Sequence, residues 1–227
     1  MMEEKSSAVA VSERIDKSAM AEWEARCEHW IARLPAADAA HDLAHVQRVV
    51  VNARRFAEAE GADLAVVLPA AWLHDCVAVC KGSKLRSMAS RLSADKAVQL
   101  LRDWGYPEKY LAAIRHAIEA HSWSAGITPQ TLEAQVVQDA DRIDSMGAIG
   151  VARAILVGGA LGRALYHPDD PLCEQRRPDD KEYTLDHFFS KLLTLKDGFH
   201  TAAARTEAQK RHDFMQQYLA TLKAEVM

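Results

Sequence analysis

Apolar residues recur at the spacing of an α-helix through most of this 227-residue chain, and no stretch alternates apolar and polar residues as a strand would. Trp23, Cys27 and Trp30 begin the pattern, within a helix predicted over 18–34 that Pro35 ends. No repeat of fixed period is present. The sequence therefore predicts an all-α fold, a single helical bundle built around one continuous core.

The first residues differ from the rest. Residues 1–17 mix charges with Ser and Ala and lack an apolar stripe, so we expect a flexible lead followed by one helical domain over 18–227. The lead also lacks the apolar core of a secretory signal. No apolar run approaches the roughly 20 residues that span a bilayer. A cytoplasmic protein without a membrane partner is the expectation.

Composition excludes one class of partner. The formal net charge is −4 and the pI is about 6.2, whereas non-specific nucleic-acid binding usually needs a basic surface. We therefore expect no nucleic-acid partner. The sequence leaves a monomer and a homodimer open.

Glycine, proline and capping residues divide the rest of the chain. Asp63 is expected to cap a helix that extends past Asp75, and Pro69 either kinks this helix or begins it. The basic segment 81–92 is predicted to be a loop, and Ser93 to cap the next helix.

Two later segments are also informative. The small apolar residues of 147–162 predict a buried helix followed by a glycine-rich turn. The proline-punctuated segment 166–183 predicts a long loop, and loops of this length are often functional.

A metal site is suggested by histidines and aspartates on otherwise apolar helices. The run Ala70–Asp75 ends in an adjacent His-Asp pair, His45 lies upstream at the edge of an apolar stripe, and Asp141 lies downstream. Each residue alone has an ordinary structural explanation, but imidazole and carboxylate together suit a divalent cation such as Mn²⁺, Mg²⁺, Fe²⁺, Co²⁺ or Zn²⁺. We interpret His45, His74, Asp75 and Asp141 as one metal site, with Mn²⁺ or Mg²⁺ favoured.

This pattern of His45, then His74-Asp75, then Asp141 on predicted helices resembles the HD-domain superfamily of metal-dependent phosphohydrolases. The resemblance covers roughly residues 40–220. Three longer stretches are similar to the bacterial subgroup that includes HD-domain nucleotide pyrophosphatases: VQDADRID (137–144), GAIGVAR (147–153) and HFFSKLL (187–193).

The resemblance implies an HD-type helical bundle in which His45, His74, Asp75 and Asp141 bind the metal. It implies hydrolysis of phosphoester or phosphoanhydride bonds, and for the subgroup the release of pyrophosphate from nucleoside triphosphates. Two alternatives stay open: a phosphomonoesterase acting on nucleoside monophosphates or other small phosphate esters, and a regulatory module that binds metal or nucleotide without turnover.

We expect the acid–base groups to lie on other helices, because the segment 76–80 after the His-Asp pair is apolar. Glu119 and His121 are candidates for proton transfer, and Asp144 can reach water or a group behind the metal ligands. We predict these three as catalytic residues.

Substrate contacts are predicted from charge and position. His41 lies one turn before His45, while Lys81 and Lys84 lie in the loop after the His-Asp pair, where they could bind phosphates. The other candidates are His116, His187 and Lys191.

Overall fold

The computed structural model describes residues 15–34, 42–79, 86–122 and 125–226. Within these ranges the chain is helical, and its one β-bridge, between Ala164 and Tyr183, is isolated. The all-α prediction is confirmed. The helices are α1 (Lys17–Ile31), α2 (Leu43–Glu60), α3 (Leu64–Leu73), α4 (Ala89–Asp103), α5 (Glu108–His121), α6 (Leu132–Ile143), α7 (Gly147–Ala160), α8 (Asp186–Ser190) and α9 (Ala202–Val226), with short 3-10 turns at Arg86–Met88 and Leu192–Gly198.

Side-chain caps fix where several helices begin. Asp16 accepts a hydrogen bond from the Ala19 amide at the start of α1. Residues 1–14 of the predicted lead lie outside the described residues, whereas Lys17 already belongs to α1. Asp42 caps α2 by accepting from the His45 amide at 2.9 Å.

Helix α3 lies at the centre of the molecule and packs against α1, α2, α4, α5 and α6. Every residue from Ala65 to Leu73 is buried. Pro69 lies inside one continuous helix that Asp63 caps, so the helix does not begin at the proline. The prediction that it extends past Asp75 is wrong, because α3 ends at Leu73 and His74 is its C-cap.

A tyrosine compensates for the proline in α3. Pro69 has no amide hydrogen to donate to the Ala65 carbonyl one turn earlier. The hydroxyl of buried Tyr106 donates to that carbonyl at 2.6 Å instead. The backbone acceptor is therefore satisfied inside the core.

Helix α4 begins earlier than predicted. It starts at Ala89, so residues 89–92 are not loop and Ser93 is not a cap. Ser93 is buried within the helix, where its hydroxyl accepts from the Val77 amide at 3.2 Å. The Cys76 thiol donates to the Ser93 carbonyl at 3.3 Å. These bonds attach the chain that follows the His-Asp pair to α4.

Helix α7 is not buried, contrary to prediction. It packs against α9, but its outer face leaves Ile155 and Leu156 exposed, and Leu161 is exposed just beyond its end. Gly158 faces inward, where a Cβ would lie 2.1 Å from the Thr184 hydroxyl oxygen, so the close approach requires glycine.

The segment 166–183 contains no helix, as predicted. Asp186 of α8 anchors it: the carboxylate is fully buried and accepts from Arg176 Nη2 at 2.7 Å and from the Asp179 amide at 2.6 Å. Within the described ranges, no single helix is long and apolar enough to cross a membrane, although α6 and α7, bent by 61° at their junction, meet the length and composition criteria as a pair.

Candidate metal centre

Three separate elements bring the predicted ligands together. His45 lies in the first turn of α2, Asp141 in the last turn of α6, and His74 with Asp75 in the turn that ends α3. On a continuous helix, consecutive side chains point about 100° apart. Because α3 ends at Leu73, the turn lets both His74 and Asp75 face the same space.

The ligand atoms are close to one another. His45 Nε2 lies 3.4 Å from Asp141 Oδ1, and His74 Nε2 lies 3.8 Å from the same oxygen. His74 Nε2 is also 3.7 Å from Asp75 Oδ2. One ligand atom each from His45, His74 and Asp141 fit within 4.8 Å, as do those of His74, Asp75 and His121. The two groups share His74.

The backbone fixes the orientation of two of the histidine rings. His74 Nδ1 donates to the Ala71 carbonyl at 2.8 Å, and His121 Nδ1 donates to the Ile118 carbonyl at 2.6 Å. Each bond selects the tautomer whose Nε2 carries a lone pair. Both Nε2 atoms therefore face the cluster as potential ligands.

Asp144 fixes the orientation of the third histidine ring, that of His45. Its fully buried carboxylate lies 2.8 Å from His45 Nδ1. It also accepts from Arg48 Nε at 2.7 Å and from Arg153 Nη1 at 2.7 Å. Two arginines thus neutralise a buried charge that orients a predicted metal ligand, which places Asp144 behind the ligands and away from the cluster's open side.

A divalent cation fits this arrangement. Among the described residues, His74 Nε2 is a fully buried nitrogen that has no hydrogen-bond partner and is aimed at the carboxylates of Asp75 and Asp141. A buried polar atom without a partner is costly, and a cation would satisfy it. The histidines form the floor, whereas the side chains of Asp75 and Asp141 are 36% and 30% exposed and lie at the mouth.

The carboxylates are poised to bind a cation. Burial alone would raise the pKa values of Asp75 and Asp141, but the neighbouring histidines outweigh it and hold both well below the usual range. Burial lowers the pKa of His45, and its bonds to Asp141 and Asp144 more than reverse this, raising it to about 9. A cation that binds here must displace that proton.

Of the two predicted proton-transfer residues, one joins the cluster. His121 is buried at the end of α5 with Nε2 3.4 Å from Asp75 Oδ1. Glu119 instead pairs with Arg115 at 2.7 Å. Two residues along a helix correspond to a rotation of about 200°, so Glu119 and His121 face opposite ways.

The predicted substrate contacts fall elsewhere or outside the described residues. His116 Nε2 accepts from the Gln130 amide at 3.0 Å, and His187 Nδ1 lies 2.8 Å from Asp180 of the long loop. Lys191 is exposed at the end of α8. None of these three belongs to the metal cluster. The predictions for His41, Lys81 and Lys84 concern residues outside the described ranges.

Sequence reasoning missed Arg48 and Arg153. Arg48 lies three residues after His45, hence on the same helix face, and this spacing was the available signal. Arg153 ends one of the stretches that carried the family resemblance, but nothing in its spacing indicates a bond to Asp144.

The comparisons with known proteins agree with this geometry. A family model described as HD domain matches residues 42–146. The uncharacterized protein YpgQ of Bacillus subtilis is 36% identical over 190 residues, which cover 82% of this chain and 84% of YpgQ.

Solved structures are similar over almost the whole chain. The crystal structure of B. subtilis YpgQ in complex with ADP has a TM-score of 0.72 and 33% identity, covering 91% of this chain and 96% of that one. A crystal structure of an HD-superfamily hydrolase from Bacillus thuringiensis has a TM-score of 0.71 and 31% identity, covering 91% and 97%. This chain therefore belongs to the HD-domain family of metal-dependent hydrolases.

Proposed function

We propose that this protein hydrolyses nucleoside triphosphates to nucleoside monophosphates and pyrophosphate, with Mn²⁺ or Mg²⁺ as the cation. The observation that carries the proposal is the convergence of His45, His74, Asp75 and Asp141 from three elements around the unpaired His74 Nε2. The structure of YpgQ with ADP supports a nucleotide as the substrate class.

The reaction joins a water oxygen to the α-phosphorus and breaks the bond between that phosphorus and the bridging oxygen to the β-phosphate. A divalent cation supplies Lewis acidity and lowers the pKa of water. Pyrophosphate departs with the electrons of the broken bond, and the proton of the water passes to a basic side chain or to solvent.

The side chains of the metal centre have different roles in this reaction. Asp75 and Asp141 lie at the exposed mouth, where the phosphates approach, while His45 and His74 form the buried floor. His121 Nε2 lies 3.4 Å from Asp75 Oδ1, and His121 is the described group best placed to exchange a proton with that carboxylate. Asp144 is a positioning residue, since it contacts His45 and the two arginines.

A monoesterase acting on nucleoside monophosphates is distinguished by its product. The relative with a bound nucleotide contains ADP, which carries an anhydride bond, and this favours anhydride cleavage. A hydrolysis screen across nucleotides with added Mn²⁺ should therefore yield pyrophosphate. Release of orthophosphate from nucleoside monophosphates, with nucleoside triphosphates left intact, would establish the monoesterase instead.

Removing a ligand tests the site. We expect His74→Ala and Asp75→Ala to lose bound Mn²⁺, measured by elemental analysis, and to lose at least about a hundredfold in turnover. His29→Ala, at an exposed position of α1, is the matched control and should retain both. Unchanged hydrolysis by the Asp75→Ala protein would contradict the proposal.

A further inference from the structure

A cleft of about 430 Å³ adjoins two of the helices that carry residues of the metal cluster. It lies between the segment that follows α5 and the segment that precedes α9. Ser122, on its wall, directly follows His121. Gln138, also on its wall, lies three residues before Asp141 on the same face of α6, about 4.5 Å along the helix axis. The cleft therefore adjoins α5 and α6, which also carry His121 and Asp141 of the metal cluster.

Hydrogen bonds hold one wall of the cleft rigid. Gln138 is 5% exposed, and its amide nitrogen donates to the Ala120 carbonyl at 2.6 Å. Its amide oxygen accepts from Arg142 Nη2 at 3.0 Å and from His200 Nε2 at 2.7 Å. The amide of His200 in turn donates to the buried Asp139 carboxylate at 3.0 Å. The cleft is thus preformed, as small-molecule sites usually are.

The lining suits a neutral, flat ligand. Ile127, Pro129 and Phe199 supply apolar surface, while the polar Ser122 and Thr128 lie among them. Asp197 also lines the cleft, and Lys196 pairs with its carboxylate at 2.8 Å. A divalent cation in the metal centre would attract the phosphates of a nucleotide, and the apolar residues of the cleft suit its uncharged half.

We propose that this cleft is the nucleoside subsite, with the heterocyclic base lying against Ile127, Pro129 and Phe199. The inference rests on the proposed function, because the metal centre must hold the phosphates for the nucleoside to reach the cleft. Its volume is within the range of sites that hold small molecules and accommodates a nucleoside.

The test compares ADP with inorganic pyrophosphate, which share the diphosphate and differ by adenosine. Dissociation constants are measured by calorimetry on the full-length protein with excess Mn²⁺. Stacking and burial of a base should make ADP bind about tenfold tighter than pyrophosphate.

Thr128→Trp fills the cleft from an exposed position, so the fold is expected to tolerate it. This substitution should remove most of the difference in affinity between ADP and pyrophosphate, and it should change the dissociation constant of pyrophosphate less than about twofold. Gln130→Trp is the matched control: it adds the same bulk two residues on, at an exposed position outside the cleft, and keeps the amide that bonds to His116. It should change neither constant.

Ile127→Ala is an independent test, because it removes apolar surface without adding bulk. It should weaken the binding of ADP and leave the binding of pyrophosphate unchanged. Equal effects of Thr128→Trp on both ligands, or no effect on ADP, would overturn the inference. Because binding is measured without turnover, a wild-type protein that binds ADP in the cleft but releases no pyrophosphate would overturn the proposed function and leave the subsite standing.

Discussion

At the scale of single residues, Asp144 shows how a group with no exposed atom can govern a site. Its carboxylate accepts hydrogen bonds from Arg48 and Arg153, and one of its oxygens lies 2.8 Å from His45 Nδ1. Burial would raise the pKa of Asp144, but these partners hold it well below the usual range, so the carboxylate stays charged. A charged acceptor fixes the ring of His45 and strengthens its other nitrogen as a ligand.

We predict that Asp144→Asn weakens Mn²⁺ binding about 10- to 100-fold, because an amide orients the His45 ring less firmly than a carboxylate. Calorimetric titration with Mn²⁺ measures the change, and circular dichroism checks that the helices remain. Asp95→Asn, a change at an exposed carboxylate on α4, is the control. An unaltered Mn²⁺ constant in the Asp144 variant would contradict the assigned role.

The four predicted ligands stand out in the sequence through their joint pattern and its resemblance to the HD-domain superfamily, and the structure brings their side chains together. The contacts that Glu119 and Asp144 make could not be predicted, since they depend on which neighbours lie across the helix interface. Glu119 is near the cluster in sequence, yet it faces Arg115. Asp144 is one turn from Asp141, yet it lies behind His45.

At the scale of elements, α3 sets the position of the His-Asp pair, and its regularity depends on Tyr106. Pro69 leaves the Ala65 carbonyl without its helical donor, and the Tyr106 hydroxyl supplies one. The sequence alone could not choose between a kink and a new helix start at Pro69, because the compensating donor, Tyr106, lies 41 residues after Ala65.

We predict that Tyr106→Phe lowers the free energy of unfolding by about 1–3 kcal/mol, the cost of a buried carbonyl without a donor. In a Pro69→Ala background the cost should be smaller, because the new backbone amide can donate to Ala65. Urea denaturation of the four proteins in this double-mutant cycle measures the difference. Equal costs in both backgrounds would show that the hydroxyl does not substitute for the missing amide.

The long loop depends on a second buried carboxylate, Asp186. Burial raises the pKa of this group, but hydrogen bonds from Arg176 and the Asp179 amide outweigh it and lower the pKa below its usual value. A lowered folded-state pKa means that the stabilisation is complete above the unfolded-state value, near 3.9, and is lost as the pH falls toward the folded-state value.

Asp186→Asn should therefore lower the free energy of unfolding by about 3 kcal/mol at pH 7, because it leaves Arg176 without its buried anion. The difference from wild type should shrink below about pH 4. Urea denaturation at pH 7 and pH 3 measures it, with Asp169→Asn, exposed in the same loop, as the control. A constant difference across this range would exclude the charged pair as the cause.

At the scale of the whole molecule, the metal centre joins the ends of α2, α3, α5 and α6. A cation held by side chains from these elements binds the folded chain and has no comparable site in the unfolded one. Binding and folding are therefore linked.

We expect Mn²⁺ at about 100 times its dissociation constant to add about 2.7 kcal/mol of stability and to raise the melting temperature by about 5–10 °C. Differential scanning calorimetry with Mn²⁺ and with a chelator measures the shift. The His74→Ala protein should show almost none. An equal shift in that variant would place the cation outside the centre.

The composition of α3 also matters before the protein is folded. Leu64–Leu73 is a ten-residue apolar stretch without a charge, the kind of segment that assembles into cross-β aggregates when a nascent chain exposes it. Pro69 stands near its middle and cannot donate to a strand ladder. We therefore expect Pro69, which costs the native helix one hydrogen bond, to oppose such aggregation during synthesis and refolding, whereas Tyr106 supplies the replacement bond in the folded core.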